Sequence, residues 1–300
     1  MKLHFNDLSL AEPDPYIFKY QETYFLYCSN AKGVLVFSSS DKLNWKREPD
    51  AFSRFGYCDY WGPCVYEDQG VFYLYCSMRK EEDPDPNHES LIVAEASTPY
   101  GPFVYFRSIC PPFSIDPHVV KSGDSLYLFY SFNRLKGDKV GTVVAVDKML
   151  SPLYLSGEPK IVLEPSFSQE IFEKNRYAEG QDWYTLEGAF YFRSGDWHYL
   201  MYSGGCYEKE TYFVGYATCH SAEDDLTKLH FVKHTVGDGF CPLIYKNKDE
   251  EGAGHNSVLF DHGDIDVFYH ARDYGQAQQP RTARMLLLQA QEGQLSIKSR

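Results

Sequence analysis

One unit recurs five times along this chain, and no other feature narrows its fold so far. Asp14-Pro15-Tyr16-Ile17-Phe18-Lys19 passes through Gln21-Glu22-Thr23 into Tyr24-Phe25-Leu26-Tyr27-Cys28-Ser29, two strand-like runs joined by a tight polar turn. The same grammar returns at Trp61-Gly62-Pro63-Cys64-Val65-Tyr66, turning at Asp68-Gln69-Gly70 into Val71-Phe72-Tyr73-Leu74-Tyr75-Cys76-Ser77. Further copies start at Asp116-Pro117-His118, Glu187-Gly188-Ala189 and His255-Asn256-Ser257, each with its own turn and second apolar run. A third strand-like run follows each hairpin, as in Leu91-Ile92-Val93-Ala94 or Phe213-Val214-Gly215-Tyr216-Ala217, and a less regular fourth would complete the unit. Units of four antiparallel strands with Gly- and Asp-bearing turns are propeller grammar, in which ring closure removes long free sheet edges. The expected fold is therefore all-β, a five-bladed β-propeller forming one domain over residues 1–300. Asp83-Pro84-Asp85-Pro86-Asn87-His88 reads as a turn-rich insertion within the second unit, not a linker.

Composition agrees and excludes some partners. Hydrophobic residues make up 43% of the chain and aromatic residues 17%, which suits strands and stacking surfaces for flat ligands. The formal net charge of −13 makes nucleic acid and anionic membranes poor partners. No run approaches the ~20 apolar residues of a spanning helix, and Met1-Lys2-Leu3-His4-Phe5-Asn6-Asp7 precedes no apolar signal-peptide core, so a cytoplasmic location is expected. The eight cysteines include no CxxC pair, and Cys28, Cys76, Cys206 and Cys219 lie in or beside strand-like runs where a thiol acts as a small hydrophobe.

The first strand of a propeller blade is innermost, so Asp14, Trp61, Asp116, Glu187 and His255, at equivalent ends of the five first strands, should converge around the axis. Taken singly, Asp14-Pro15 and Asp116-Pro117 read as strand-entry turns, Trp61 as core and His255 as a hydrogen-bonded structural histidine. Gathered in one ring they read as a site, because several carboxylates near one another are costly unless paired, shifted or solvated. Paired carboxylates without an evident nucleophile point to glycoside hydrolysis, in which one carboxylic acid protonates the leaving oxygen while another activates water or attacks carbon. Neither a GxSxG elbow nor a P-loop competes with that reading.

These residues carry a family resemblance. Pro13-Asp14-Pro15-Tyr16-Ile17, Tyr60-Trp61-Gly62-Pro63, Ile115-Asp116-Pro117-His118, Leu186-Glu187-Gly188 and Gly254-His255-Asn256-Ser257 stand in the order of the blade motifs of glycoside hydrolase family 43, a five-bladed propeller family of inverting enzymes that the whole chain resembles. The resemblance implies Asp14 as general base, Glu187 as general acid and Asp116 as the group that tunes and orients Glu187. It implies Trp61 against a sugar, Arg281 in preference to the nearby Arg284 on sugar hydroxyls, and His255 beside a hydrated metal ion such as a structural calcium in the central channel, with no cofactor needed for the chemistry. Gly62 and Cys64 replace the Ala and the acidic residue expected in the second motif, and Ala189 replaces a Pro, which touches the pocket wall rather than a catalytic group. The chain ends at Arg300 without the β-sandwich of many β-xylosidases of the family. The expected activity is therefore an exo-acting α-L-arabinofuranosidase trimming short plant-derived oligosaccharides, followed by a β-xylosidase. A fructosidase or galactofuranosidase, and a non-catalytic carbohydrate-binding propeller, are the alternatives.

Overall fold

The computed structural model describes residues 1–237 and 239–298; Asp238, Ser299 and Arg300, and with them the chain end, lie outside the described residues. Strands dominate, and each of the five repeats is one blade. Blade I is built from Tyr16–Tyr20, Thr23–Cys28, Leu35–Ser39 and Asn44–Arg47. Blade II follows as Tyr57–Asp68, Val71–Lys80, Ser90–Ala96 and Val104–Pro112. Ser114–Ser122, Ser125–Arg134 and Gly141–Ser151 form blade III. Blade IV runs Trp183–Ser194, Trp197–Gly204, Phe213–His220 and Val232–Lys233. Blade V runs Glu250–Asp261, Asp264–Asp273, Thr282–Gln291 and Gln294–Ile297. Every inner strand pairs with the next strand in sequence through a two-residue turn, which fixes the register and with it the face each side chain occupies.

Two blades depart from four antiparallel strands. In blade III the fourth strand is split, Tyr154–Leu155 and Lys160–Leu163 each pairing with Gly141–Ser151. Blade I gains a fifth, parallel strand, His4–Phe5, alongside Asn44–Arg47.

Alternation along the strands explains why the blades form a ring. In Thr23–Cys28 the side chains of Phe25 and Tyr27 join Val65, Phe72 and Leu74 of blade II, whereas Tyr24, Leu26 and Cys28 join Phe268, Ala283 and Met285 of blade V. The same two-residue period builds apolar cores between blades II and III, III and IV, and IV and V. Five interblade cores thus replace one central core, and the core between V and I closes the circle. A fully buried side chain such as Leu26 or Phe37 contributes about 1.5–3 kcal/mol to its interface.

Polar contacts hold the same junction. The Met1 amine donates to Met285 O at 2.6 Å and Met285 N–H donates back to Met1 O at 2.9 Å, so the first residues tie blade V to the outer edge of blade I. Deeper in, Lys42 reaches Asp261 at 2.8 Å and Asp266 at 2.6 Å, while Lys19 and Tyr24 also bind Asp261. All eight cysteines are free thiols; Cys28, Cys76 and Cys206 are buried and Cys219 is half-buried.

Candidate active site

Each inner strand of blades II to V carries a bulge where its register with the second strand slips: Trp61/Cys64, Ile115/His118, Glu187/Phe190 and Gly254/Ser257. A bulge re-aims side chains, and here it turns them toward the axis. Within or just before the inner strands, a residue with left-handed backbone recurs in every blade: Asp14 (φ 54°), Gly62 (54°), Asp116 (59°), Gly188 (59°) and His255 (46°). The five residues singled out from the sequence are therefore not all at one equivalent position. Asp14, Asp116 and His255 occupy the left-handed position, whereas Trp61 and Glu187 stand one residue before it, the turn itself being left to Gly62 and Gly188. Glycine adopts that backbone without the penalty a Cβ would bring, and at Gly62 a Cβ would also sit 2.6 Å from Asp116 Oδ1.

At Asp14, Gly62, Gly188 and His255 the backbone N–H of this position is clamped to a neighbouring blade. Gly62 N–H donates to Ser29 Oγ at 2.8 Å, His255 N–H to Ser203 Oγ at 2.7 Å, and Asp14 N–H to His270 Nδ1 at 3.1 Å. Gly188 N–H donates to Asp116 Oδ2 at 2.9 Å, tying the strand that carries Glu187 to the Asp116 carboxylate.

The five residues singled out from the sequence converge, as does Arg281. Asp14, Trp61, Asp116, Glu187, His255 and Arg281 line one inner pocket of about 120 Å³, together with Ile115 and Tyr207. Arg281 Nη1 lies 3.3 Å from Asp14 Oδ1, whereas Arg284 turns away to Asp273, at 2.8 Å, and Glu250. Above the pocket opens a vestibule of about 430 Å³ that shares Trp61, Ile115, Glu187 and Tyr207 with it, so Glu187 stands at the boundary of the two spaces. The Asp83–His88 insertion lines the vestibule through Asp85, Pro86 and Asn87, as do Arg176 and Tyr177.

The three carboxyls occupy different electrostatic environments. Burial alone would raise Asp14, but His255, with Nδ1 3.3 Å from Oδ1, and Arg281 outweigh it and hold the carboxyl far below the usual range. His270 Nδ1 is also 3.2 Å from Asp14 Oδ1, yet its lone pair already accepts the Asp14 N–H, so it has no proton to donate there. Burial pushes His270 down to about 3, which keeps it neutral. Asp116 is driven up by burial and by the charge on Asp14, against the opposing Gly188 N–H. Glu187 is driven up by burial and then by Asp116, although Tyr212 Oη donates to its Oε1 at 2.6 Å and favours the charged form. Asp14 is thus ionised at neutral pH, and the pair of Asp116 and Glu187 retains a proton.

Tyr212 and His270 are site residues that the repeat pattern did not disclose. Tyr212 precedes the third strand of blade IV, is buried, and stacks on His270 with ring centroids 5.8 Å apart. Its ring presses on blade V at Gly254, where a Cβ would fall 1.7 Å from Tyr212 Cε1. The glycine before His255 therefore makes room for the group that holds Glu187.

The donor set does not make a cation cage. Among the described residues no group of three or more His, Cys, Asp and Glu side chains is arranged to hold a metal ion, and calcium takes six to eight oxygen ligands. His255 would offer one imidazole to an ion otherwise held by water.

Known proteins share this fold. The family model for glycosyl hydrolases family 43 matches residues 8–293. The extracellular exo-α-(1→5)-L-arabinofuranosidase ArbA of Cellvibrio japonicus is 24% identical over 294 residues, covering 86% of this chain and 78% of that protein. Among solved structures, a thermostable family-43 glycoside hydrolase superposes with a TM-score of 0.79 at 25% identity, over 97% of this chain and 93% of that one. An endo-1,4-β-xylanase from Bacteroides thetaiotaomicron gives 0.76 at 26% identity, over 97% and 95%. The α-L-arabinofuranosidase from Lactobacillus brevis shares the fold, with a TM-score of 0.78 at 19% identity over 98% and 95%. With a family match across nearly the whole chain and an inner pocket lined by three carboxylates, this protein belongs to glycosyl hydrolases family 43.

Proposed function

We propose that the protein is an inverting, exo-acting glycosidase that releases a pentose, α-L-arabinofuranose foremost, from short oligosaccharides, with residues 1–300 acting as one catalytic unit. The observation that carries this reading is the division of the funnel into a small inner pocket and a wider vestibule with Glu187 at their boundary. A cavity of about 150 Å³ takes up a benzene ring, so an inner pocket of about 120 Å³ has room for no more than one sugar ring. The scissile bond then lies beside Glu187 and the leaving group in the vestibule.

In this reading Glu187 donates its proton to the glycosidic oxygen as the carbon–oxygen bond breaks. Asp14 takes a proton from the water that attacks the anomeric carbon on the opposite face, so the configuration inverts. Asp116, buried beside Glu187, disfavours its ionisation and keeps the acid loaded. Trp61 packs on the sugar, and Arg281 and His255 address its hydroxyls, while Arg281 also keeps Asp14 charged. A β-xylosidase is the second reading, supported by the 26% identity to a protein described as a xylanase and by the like hydroxyl arrangement of the two pentoses.

Hydrolysis of 4-nitrophenyl α-L-arabinofuranoside beside 4-nitrophenyl β-D-xylopyranoside, with Glu187→Ala as control, tests this. Cleavage of one that depends on Glu187 names the sugar. Failure on both removes the pentosidase reading and brings other furanosides or carbohydrate binding alone forward.

A further inference from the structure

The vestibule does not end at the funnel. It shares Phe113 and Asn133 with a larger groove of about 530 Å³ between blades II and III, so the groove adjoins the vestibule at these two residues. The junction is built with strain. Phe113 holds φ at +65°, a conformation that a bulky side chain avoids. It is pinned there on both sides: its N–H donates to Glu89 O at 2.7 Å and its carbonyl accepts from Asn133 N–H at 3.1 Å. The strain leaves its ring partly exposed, facing both cavities and stacked on His88 of the blade II insertion at 4.9 Å. Farther out, Tyr154 lines the groove with 46% of its surface exposed, and the Arg107 guanidinium lies 4.5 Å from its ring centroid. The groove's carboxylate, Asp147, is buried and committed to Ser156 and Gly157, so the lining offers aromatic faces and N–H donors without a strong net charge. Flat apolar faces beside hydrogen-bonding groups suit a neutral, ring-shaped, hydroxyl-rich ligand.

We propose that the leaving-group end of the oligosaccharide runs from the vestibule over Phe113 into this groove, where Tyr154 and Arg107 hold a sugar residue beyond the first leaving-group unit. The proposal rests on the glycosidase reading above and adds to it a preference for chain length. An aryl pentoside ends in the vestibule and cannot touch the groove, which separates the two ideas experimentally.

The test compares wild type, Tyr154→Ala and Arg107→Ala on 4-nitrophenyl α-L-arabinofuranoside, on the linear arabino-disaccharide and on the hexasaccharide, with the xylo-series in parallel. Wild type is expected to favour the hexasaccharide over the disaccharide about tenfold in kcat/KM, the size of one good contact. Each variant is expected to lose about fivefold or more on the hexasaccharide through KM, keeping kcat and the aryl pentoside within about twofold. Equal kcat/KM on the two chain lengths, or equal losses on aryl pentoside and hexasaccharide, would overturn the groove proposal while leaving the glycosidase reading intact. If no pentoside of any length is cleaved, the glycosidase reading fails and the groove proposal fails with it.

Discussion

Replacing Tyr212 by Phe removes one oxygen from the site and nothing else. The ring keeps its place against Gly254 and its stack on His270, but the 2.6 Å hydrogen bond to Glu187 Oε1 is gone. A hydrogen bond to a charged acceptor contributes about 1.5–3 kcal/mol and one to a neutral acceptor about 0.5–1.5 kcal/mol, so ionised Glu187 loses about 1–1.5 kcal/mol more than its protonated form. At 1.36 kcal/mol per unit, the apparent pKa of the acid should rise by about one unit. The general acid must be protonated, so activity is lost as pH rises through that value, and the alkaline limb of kcat/KM should move upward by about one pH unit. The assay is the pH profile of kcat/KM for the aryl pentoside that wild type cleaves. An alkaline limb that stays in place or moves down would show that Tyr212 does not govern the ionisation of the acid.

Further outcomes follow from the same structure. Asp14→Ala and Glu187→Ala should each lose about 10²–10⁴-fold in kcat while retaining the fold by circular dichroism; the Glu187 loss should be smaller on substrates with good leaving groups, and near-normal activity in either variant would refute its role. Lys42→Met strands Asp266, whose carboxylate is buried with Lys42 at 2.6 Å, and should cost about 3–5 kcal/mol in urea unfolding; a loss under about 1 kcal/mol would show that the blade I–V junction does not need the pair. Glu89 is buried, both its carboxyl oxygens lack a hydrogen-bond partner among the described residues, and burial pushes it up to about 9. The contribution of such an acid to stability is intact below its unfolded value near 4.5 and is lost as pH rises toward 9. Glu89→Met should therefore gain on wild type by up to about 2–3 kcal/mol between pH 6 and pH 8, and a pH-independent difference in unfolding free energy would contradict this.

The five repeats made the ring and most of the site legible, because each blade repeats one hairpin whose alternating side chains serve two neighbours. Phe25 and Leu26 are adjacent in sequence yet belong to different interblade cores, a direct product of the two-residue period. Trp61 and Glu187 stand one residue out of step with the other three, since the left-handed turn can be filled by the functional residue itself, as at Asp14, or by a following glycine, as at Gly188. Sequence spacing does not separate those two solutions. Arg281 and Arg284 are three apart on one edge, and only the path of the chain turns one inward and the other toward Asp273. Tyr212 carried no periodic mark, being a loop residue that reaches the acid from just before the third strand of the same blade. Gly254 was its one trace in the sequence, read as part of a motif although its physical role is to leave space.

The stereochemical course of a single turnover separates the roles of Asp14 and Glu187. Proton NMR of the sugar released from an α-L-arabinofuranoside, recorded before mutarotation, should show the β anomer first, as required if Asp14 activates water while Glu187 protonates the leaving oxygen. First appearance of the α anomer would mean retention through a covalent intermediate, and would contradict the roles given to both carboxylates.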